Sequence, residues 1–63
     1  MLQQRRKRIF DDKEFVLHGV YGSKKQAKKA GERLKEKGYF YRVTGSSKDV
    51  EVWVSKYPRF YYR

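Results

Sequence analysis

The strongest structural signal in the chain is GYFYRVTGSSKDVEVWVSKY, residues 38–57. Two runs rich in β-branched and aromatic residues flank a Gly-Ser-Ser-Lys-Asp turn, a pattern that predicts a β-hairpin. We expect its strands at residues 39–44 and 50–56.

Alternation along these strands separates the two faces of the predicted sheet. One face carries tyrosine and valine side chains, namely Tyr39, Tyr41, Val43, Val50, Val52 and Val54. The other carries Phe40, Arg42, Glu51, Trp53 and Ser55. Rings beside a cation suit stacking on bases and contact with phosphates, so Phe40, Arg42 and Trp53 are candidate nucleic-acid-binding residues. The alternative is a cross-strand ring pair that only stabilises the hairpin.

A further strand is predicted upstream, at residues 14–21, EFVLHGVY. Gly19 interrupts it, and a glycine inside a strand often marks a bulge. We expect Phe15 and Leu17 on the core face, and the face of Phe40 and Trp53 to carry Val16, His18 and Val20. His18 is interpreted as a structural residue at the edge of the binding surface.

A helix is predicted between Ser23, which can form a capping box with Gln26, and Gly38, which supplies a left-handed terminating residue. Small or apolar residues recur at i, i+3, i+4 and i+7, a spacing that lets the helix lie close to the sheet: Ala27, Ala30, Gly31 and Leu34. The first two turns supply candidate phosphate contacts: Lys24, Lys25, Lys28 and Lys29. The alternative is that these lysines form only a solvated face.

The order strand, helix, strand, strand predicts a single small α+β domain. We expect a β-α-β-β arrangement, with a three-stranded mixed sheet, the helix packed on one face and the other face open. The last strand is apolar on both faces and is placed at the centre, which gives the spatial order first, third, second.

The domain at residues 9–57 is flanked by a disordered basic arm at residues 1–8 and a basic-aromatic tail at residues 58–63. Asp11-Asp12 is interpreted as a turn. The arm adds the candidate backbone contacts Arg5, Arg6, Lys7 and Arg8, and the remaining candidates are Lys48, Lys56 and Arg59. Rings in the tail either cover the edge of the core or await a partner: Phe60, Tyr61 and Tyr62.

The net charge of the chain indicates the class of its binding partner. The 63 residues include 17 Lys and Arg against 7 Asp and Glu, a formal charge of +10, which is best explained by a polyanion, above all nucleic acid. With no cysteine and one histidine we expect no metal site and no cofactor. No apolar run approaches a membrane span and no signal peptide is evident, so we expect a cytoplasmic protein associated with the nucleoid or the ribosome.

Three patterns together resemble a known family. They are FVL followed by HGVY at residues 15–21, a Lys- and Ala-rich helix with QA at residues 26–27 and KA at residues 29–30, and a Gly-x-x-Lys-x-Val-x-Val hairpin at residues 45–52. In these the chain resembles the small chromosomal DNA-bending proteins of methanogenic archaea. The resemblance implies a monomer that binds duplex DNA with little sequence preference and bends it. A further hairpin and a longer basic C-terminal segment of that family have no counterpart here.

A second resemblance covers residues 34–54, which are similar to small messenger-RNA-cleaving toxins with a double-stranded-RNA-binding-like fold. Those proteins use a histidine directly after the Gly-Ser pair, where this chain has Ser47. Without an imidazole at this position to move protons near neutral pH, the cleavage chemistry has no obvious agent, although a lysine or tyrosine could substitute. We predict that the protein is not an enzyme, and a small RNA-cleaving toxin is the least favoured alternative.

The sequence therefore predicts a nucleic-acid-binding protein, with duplex DNA favoured and structured or ribosomal RNA as the alternative. A third interpretation is a protein-interaction module that uses the open sheet face and the tail. A monomer is favoured, and dimerisation through a sheet edge or the open face is the alternative.

Overall fold

The structure, a computed structural model, describes residues 6–45 and 48–62. Its elements are β1 (Lys7–Phe10), β2 (Lys13–Tyr21), α1 (Lys24–Glu36), β3 (Tyr41–Gly45), β4 (Val50–Ser55) and a short 3-10 helix (Arg59–Tyr62). The strands form one sheet in the order β1-β2-β4-β3, and each of these three neighbouring pairs is antiparallel. The α+β class is confirmed. The predicted three-stranded mixed sheet and β-α-β-β order are wrong, because an additional N-terminal strand pairs with β2.

Strand β1 lies within the segment expected to be a disordered arm. Asp11 and Asp12 have φ angles of 50° and 61°, as a two-residue type I′ hairpin turn requires, so the predicted turn is confirmed. Phe10 pairs with Lys13 across it, and the carbonyl of Arg6 accepts from a β2 amide at 3.0 Å. Order therefore begins no later than Arg6. The rest of the predicted arm, residues 1–5, lies outside the described residues.

The helix begins and ends as predicted. The hydroxyl of Ser23 accepts a hydrogen bond from the amide of Gln26 at 3.3 Å. Gly38 has a φ of 94°, and the amides of Gly38 and Tyr39 donate to carbonyls of the last helical turn at 2.9 and 3.0 Å. This pair of bonds is a Schellman motif, which satisfies carbonyls that the helix end would otherwise leave free.

The helix packs on the valine face of the sheet. A buried cluster joins the helix to β4 through Ala27, Leu34, Val50 and Val52. The ring of Tyr41 lies against Gly31, where any Cβ would overlap the ring. The glycine therefore sets how closely the helix approaches β3.

The opposite face of the sheet is also covered, which contradicts the expected open face. Trp53 is 1% exposed and Phe15 is 2% exposed. Phe10 of β1 packs edge-on against both, with ring centroids 6.1 Å from Trp53 and 5.2 Å from Phe15. The sheet curls so strongly that Asp11, in the β1–β2 turn, pairs with Arg42 of β3 at the other edge.

Strand β2 carries the bulge that its glycine suggested, as a shift of register between Leu17 and Gly19. Before the bulge, Phe15 and Leu17 share a face with Trp53, and Val16 faces the helix side. For these three residues this is the reverse of the prediction, whereas Val20, after the bulge, pairs with Glu51 and lies on the predicted face. Alternation fixes which residues share a face, but it does not say which face meets the helix.

The C-terminal segment folds back on the end of the sheet. The amide of Arg59 donates to the carbonyl of Gly38 at 2.7 Å, and the ring of Tyr62 lies 5.9 Å from that of Phe40. Phe60 remains 71% exposed. The tail thus packs the ring of Tyr62 on the half-buried Phe40 and presents the ring of Phe60 to solvent.

Candidate nucleic-acid interface

The predicted binding residues lie mainly in three groups, in the sheet, on the helix and in the C-terminal segment. In and beside the sheet, four of them lie next to the ring of Trp53 or of Phe10, and with Phe10 they form the Trp53 cluster: Arg6, Arg8, Phe10, Arg42 and Trp53. The guanidinium carbons of Arg6 and Arg8 lie 5.6 and 5.5 Å from the centroid of the Trp53 ring. Because the Trp53 side chain is almost fully buried, it offers no face on which a base could stack. The predicted stacking role of Trp53 is therefore wrong, and the cause is strand β1, whose side chains cover the ring.

Polar contacts hold this cluster together. Trp53 Nε1 donates to Thr44 Oγ1 at 2.8 Å, and Thr44 Oγ1 donates to Glu51 Oε1 at 3.2 Å. Glu51 in turn pairs with Arg6 at 2.6 Å, while Arg42 pairs with Asp11. Two of the three arginines around Trp53 thus already have a carboxylate partner. Their contacts support a structural role.

Lys7 and Lys56 are also engaged within the sheet. Their Nζ atoms lie 3.7 and 3.9 Å from Glu14 Oε2, which is buried and has no hydrogen-bond donor among the described residues. Two lysines thus compensate one buried carboxylate oxygen. These two predicted phosphate contacts have a structural partner as well.

The helix cations behave differently. Within the described part of the chain, ion pairs within 4.0 Å involve only residues of the sheet and its turn. No such pair includes any of the seven basic residues of the helix and its C-cap, which are Lys24, Lys25, Lys28, Lys29, Arg33, Lys35 and Lys37. Unpaired cations gathered on one element form the kind of surface that a polyanion binds.

One of the two helix carboxylates is engaged elsewhere. Glu32 Oε2 accepts a hydrogen bond from the Tyr41 hydroxyl at 2.7 Å. This hydrogen bond raises the pKa of Tyr41 above its ordinary value of 10.0, and partial burial and the negative charge of Glu32 add to the effect. Glu32 therefore contributes to the packing of the helix on β3.

A groove runs between the helix and the bulged strand, and we call it the α1–β2 groove. Its cationic lining residues are Lys29, Arg33 and Lys37, which follow one another at four-residue intervals on one flank of the helix. The remaining lining residues are His18, Tyr21, Gln26, Ala30 and Leu34. Among the described residues that line this groove there is no carboxylate. Every fixed charge in it is positive.

The groove brings together residues that the sequence-based predictions did not place in one site. Lys29 was predicted, whereas Arg33 and Lys37 were missed although their spacing from Lys29 was visible in the sequence. His18 reaches the groove because it shares the helix side of β2 with Val16, opposite the face of Leu17 and Trp53, so its expected position beside Trp53 is wrong.

The other predicted helix lysines lie outside the groove. Lys25 and Lys28 line a second depression on the outer face of the helix together with Glu32 and Glu36. Lys29 and Arg33 border both the groove and this depression.

The third group is the C-terminal platform: Lys13, Phe40, Arg59, Phe60 and Tyr62. Lys13 Nζ lies 5.1 Å from the ring of Phe40 and 5.3 Å from that of Tyr62, and Arg59 lies 5.4 Å from Phe40. Phe40 and Arg59 were predicted. Lys13 was missed, because it reaches the platform only through the β1–β2 turn.

Two predicted residues lie apart from these groups. Lys48 is exposed in the loop between β3 and β4, whose Ser46 and Ser47 lie outside the described residues. Arg5 also lies outside them.

Within residues 6–45 and 48–62, no helix is long and apolar enough to cross a bilayer. The same residues contain no group of three or more His, Cys, Asp or Glu side chains that could hold a metal ion. Comparison with protein-family models, with curated proteins and with solved structures finds no match to this chain.

Proposed function

We propose that the protein binds the phosphate backbone of nucleic acid, with duplex DNA as the favoured partner and little preference for sequence. The observation that carries the proposal is the α1–β2 groove, where three cations without an ion-pair partner among the described residues line a cleft that no described carboxylate shares. The formal charge of +10 adds a long-range attraction to any polyanion.

The spacing of the groove cations suits a phosphate chain. From Lys29 to Lys37 the helix rises about 12 Å, at about 1.5 Å per residue. Phosphates follow one another every 3.4 Å or so along the axis of one DNA strand, so the row of cations spans about three to four phosphates. Cations on phosphates carry no sequence information, which is why little sequence preference is proposed.

Duplex DNA is preferred over structured RNA because of the resemblance of the sequence to the chromosomal proteins of methanogenic archaea. In this proposal the protein acts as a monomer on DNA, as an architectural rather than a catalytic protein. Bending of the DNA is not required by the geometry of the groove and forms no part of the proposal.

The test is a titration of a short fluorescently labelled duplex, followed by anisotropy at several salt concentrations. The logarithm of the affinity should fall linearly with the logarithm of salt, by about 0.9 for each neutralised phosphate. The substitutions Lys29→Gln, Arg33→Gln and Lys37→Gln should each reduce that slope by about one unit or less.

Lys35→Gln is the matched control, because it removes the same charge from the same helix on a different flank. Lys35→Gln should change the salt slope by less than half as much as the three groove substitutions. A salt-independent affinity would contradict the proposal, and so would a control as damaging as the groove variants. In competition, stronger displacement by structured RNA than by duplex DNA would overturn the choice of duplex DNA and leave phosphate binding intact.

A further inference from the structure

The α1–β2 groove accounts for phosphate contacts but leaves the exposed rings of the C-terminal segment unexplained. Phe60 is 71% exposed and Tyr61 beside it is 58% exposed. Single exposed apolar residues are ordinary on protein surfaces, but adjacent large rings are typical of binding surfaces.

These rings are held in place. Tyr61 stacks on Tyr57 with ring centroids 4.1 Å apart and planes 25° apart. Tyr62 packs at 5.9 Å against Phe40, and the amide of Arg59 is bonded to the carbonyl of the residue that ends the helix. The segment therefore presents Phe60 from a folded base, so little conformational entropy remains to be lost when a ligand binds.

The surroundings of Phe60 are basic as well as aromatic. The cleft beside it is lined by the C-terminal platform and Gly38, and no carboxylate is among these described residues. Lys13 and Arg59 bring two positive charges to the same cleft. A ligand that matches both features is flat, aromatic and negatively charged, which describes a nucleotide better than it describes an apolar protein surface or a lipid.

We propose that the C-terminal platform binds an unpaired nucleotide, whose base stacks on Phe60 and whose phosphate contacts Lys13 and Arg59. A base within a duplex has both faces covered by its neighbours, so only an unpaired base can offer a face to the ring. The inference rests on the proposed function and refines it: the preferred substrate is a duplex that carries an unpaired extension.

The experiment compares a blunt labelled duplex with the same duplex carrying a short single-stranded extension. The protein should bind the extended duplex more tightly. Phe60→Ala should lower affinity for the extended duplex by about 5- to 150-fold, the range expected for loss of one stacked base, and should leave the blunt duplex unaffected. Phe60→Trp should retain the preference, because it keeps a flat ring.

Ile9→Ala is the matched control. Ile9 is 68% exposed on β1 and does not line the platform, so its truncation removes a comparable exposed side chain without touching the proposed site. Because Phe60 is itself exposed, its truncation is expected to leave the fold intact, which circular dichroism would check.

The outcomes separate the two proposals. Equal binding of both duplexes, or an unchanged preference in Phe60→Ala, would overturn the proposed nucleotide binding at the C-terminal platform. A steep salt dependence in the same experiment would still support phosphate binding in the α1–β2 groove. Equal losses on both duplexes in Phe60→Ala would also overturn it, because the ring would then not select unpaired bases. Absence of DNA binding at low salt would instead overturn the proposed function.

Discussion

The two faces of the sheet are covered in different ways, although both draw on the same central strand. Toward the helix, β4 presents Val50 and Val52, which pack with Ala27 and Leu34 in a purely apolar cluster. Toward β1, the same strand presents Trp53, whose cover combines aromatic edges with arginine side chains and ion pairs.

A sheet face covered by charged side chains therefore differs from one covered by small apolar residues. Arg8 of strand β1 and Arg6 just before it reach over Trp53, and carboxylates hold Arg6 and, on β3, Arg42. The helix covers its face with small residues, so its charges point away from the core and keep no ion-pair partner among the described residues. The cations beside the buried Trp53 ring are therefore a sign of packing. A row of helix cations without an ion-pair partner among the described residues is the better candidate for a binding surface.

The largest effect on stability should come from removing the buried indole on the face of the sheet that β1 covers. Trp53→Ala removes a buried indole and should lower the free energy of unfolding by about 3 to 5 kcal/mol, enough to unfold a domain of this size. Trp53→Phe keeps most of the volume but loses the bond from Nε1 to Thr44, and should lower it by about 1 to 2 kcal/mol. Circular dichroism without denaturant shows whether Trp53→Ala is folded, and urea denaturation followed by circular dichroism measures the loss in Trp53→Phe.

Trp53→Phe also tests whether this face binds nucleic acid. If the ring only supports the fold, the folded variant should bind duplex DNA with unchanged affinity and salt slope. A clear loss of affinity in a variant that is still folded would show that the Trp53 cluster belongs to the interface.

A smaller effect is expected on the helix-covered face. Gly31→Ala places a methyl group into the ring of Tyr41, and overpacking of this kind costs about 1 to 3 kcal/mol. The higher helix propensity of alanine offsets about 1 kcal/mol of that loss. Thermal and urea denaturation of Gly31→Ala should therefore show a net destabilisation.

The cause can be isolated in a second background. If the clash is with the ring, Gly31→Ala should become neutral or stabilising when Tyr41 is replaced by Ala. An equal loss in both backgrounds would mean that another contact limits the approach of the helix.

The sequence predicted the parts of this fold that depend on local patterns. The β3–β4 hairpin, the caps at Ser23 and Gly38 and the bulge near Gly19 follow from spacing and turn residues, and the structure has each of them. The central position of the last strand is also as predicted.

What the sequence did not reveal depends on tertiary pairing. β1 begins in a run of cations that has no apolar period, so only its pairing with β2 shows it to be a strand. The burial of Trp53 follows from that strand. The groove was partly visible in the four-residue spacing of Lys29, Arg33 and Lys37. The place of His18 beside them depends on which face of β2 meets the helix, and alternation does not reveal that.

The smallest predicted effect concerns the bond that ties the helix to β3. Tyr41→Phe removes the hydroxyl that donates to Glu32 and, because the bond is exposed to solvent, should lower the free energy of unfolding by only about 0.5 kcal/mol near neutral pH.

The pKa of Tyr41 is raised in the folded protein, so the contribution of this bond is fully present below the unfolded pKa of 10.0 and is lost as the pH rises through the folded pKa. The stability of the natural protein should therefore approach that of Tyr41→Phe only above pH 10 or so, in urea denaturation at a series of pH values. Tyr61→Phe is the matched control, because it removes the hydroxyl of a largely exposed tyrosine and leaves the bond from Tyr41 to Glu32 in place. A difference between the natural protein and Tyr41→Phe that stayed constant through this range would mean that the Tyr41 hydroxyl stabilises the helix contact by packing rather than by its bond to Glu32.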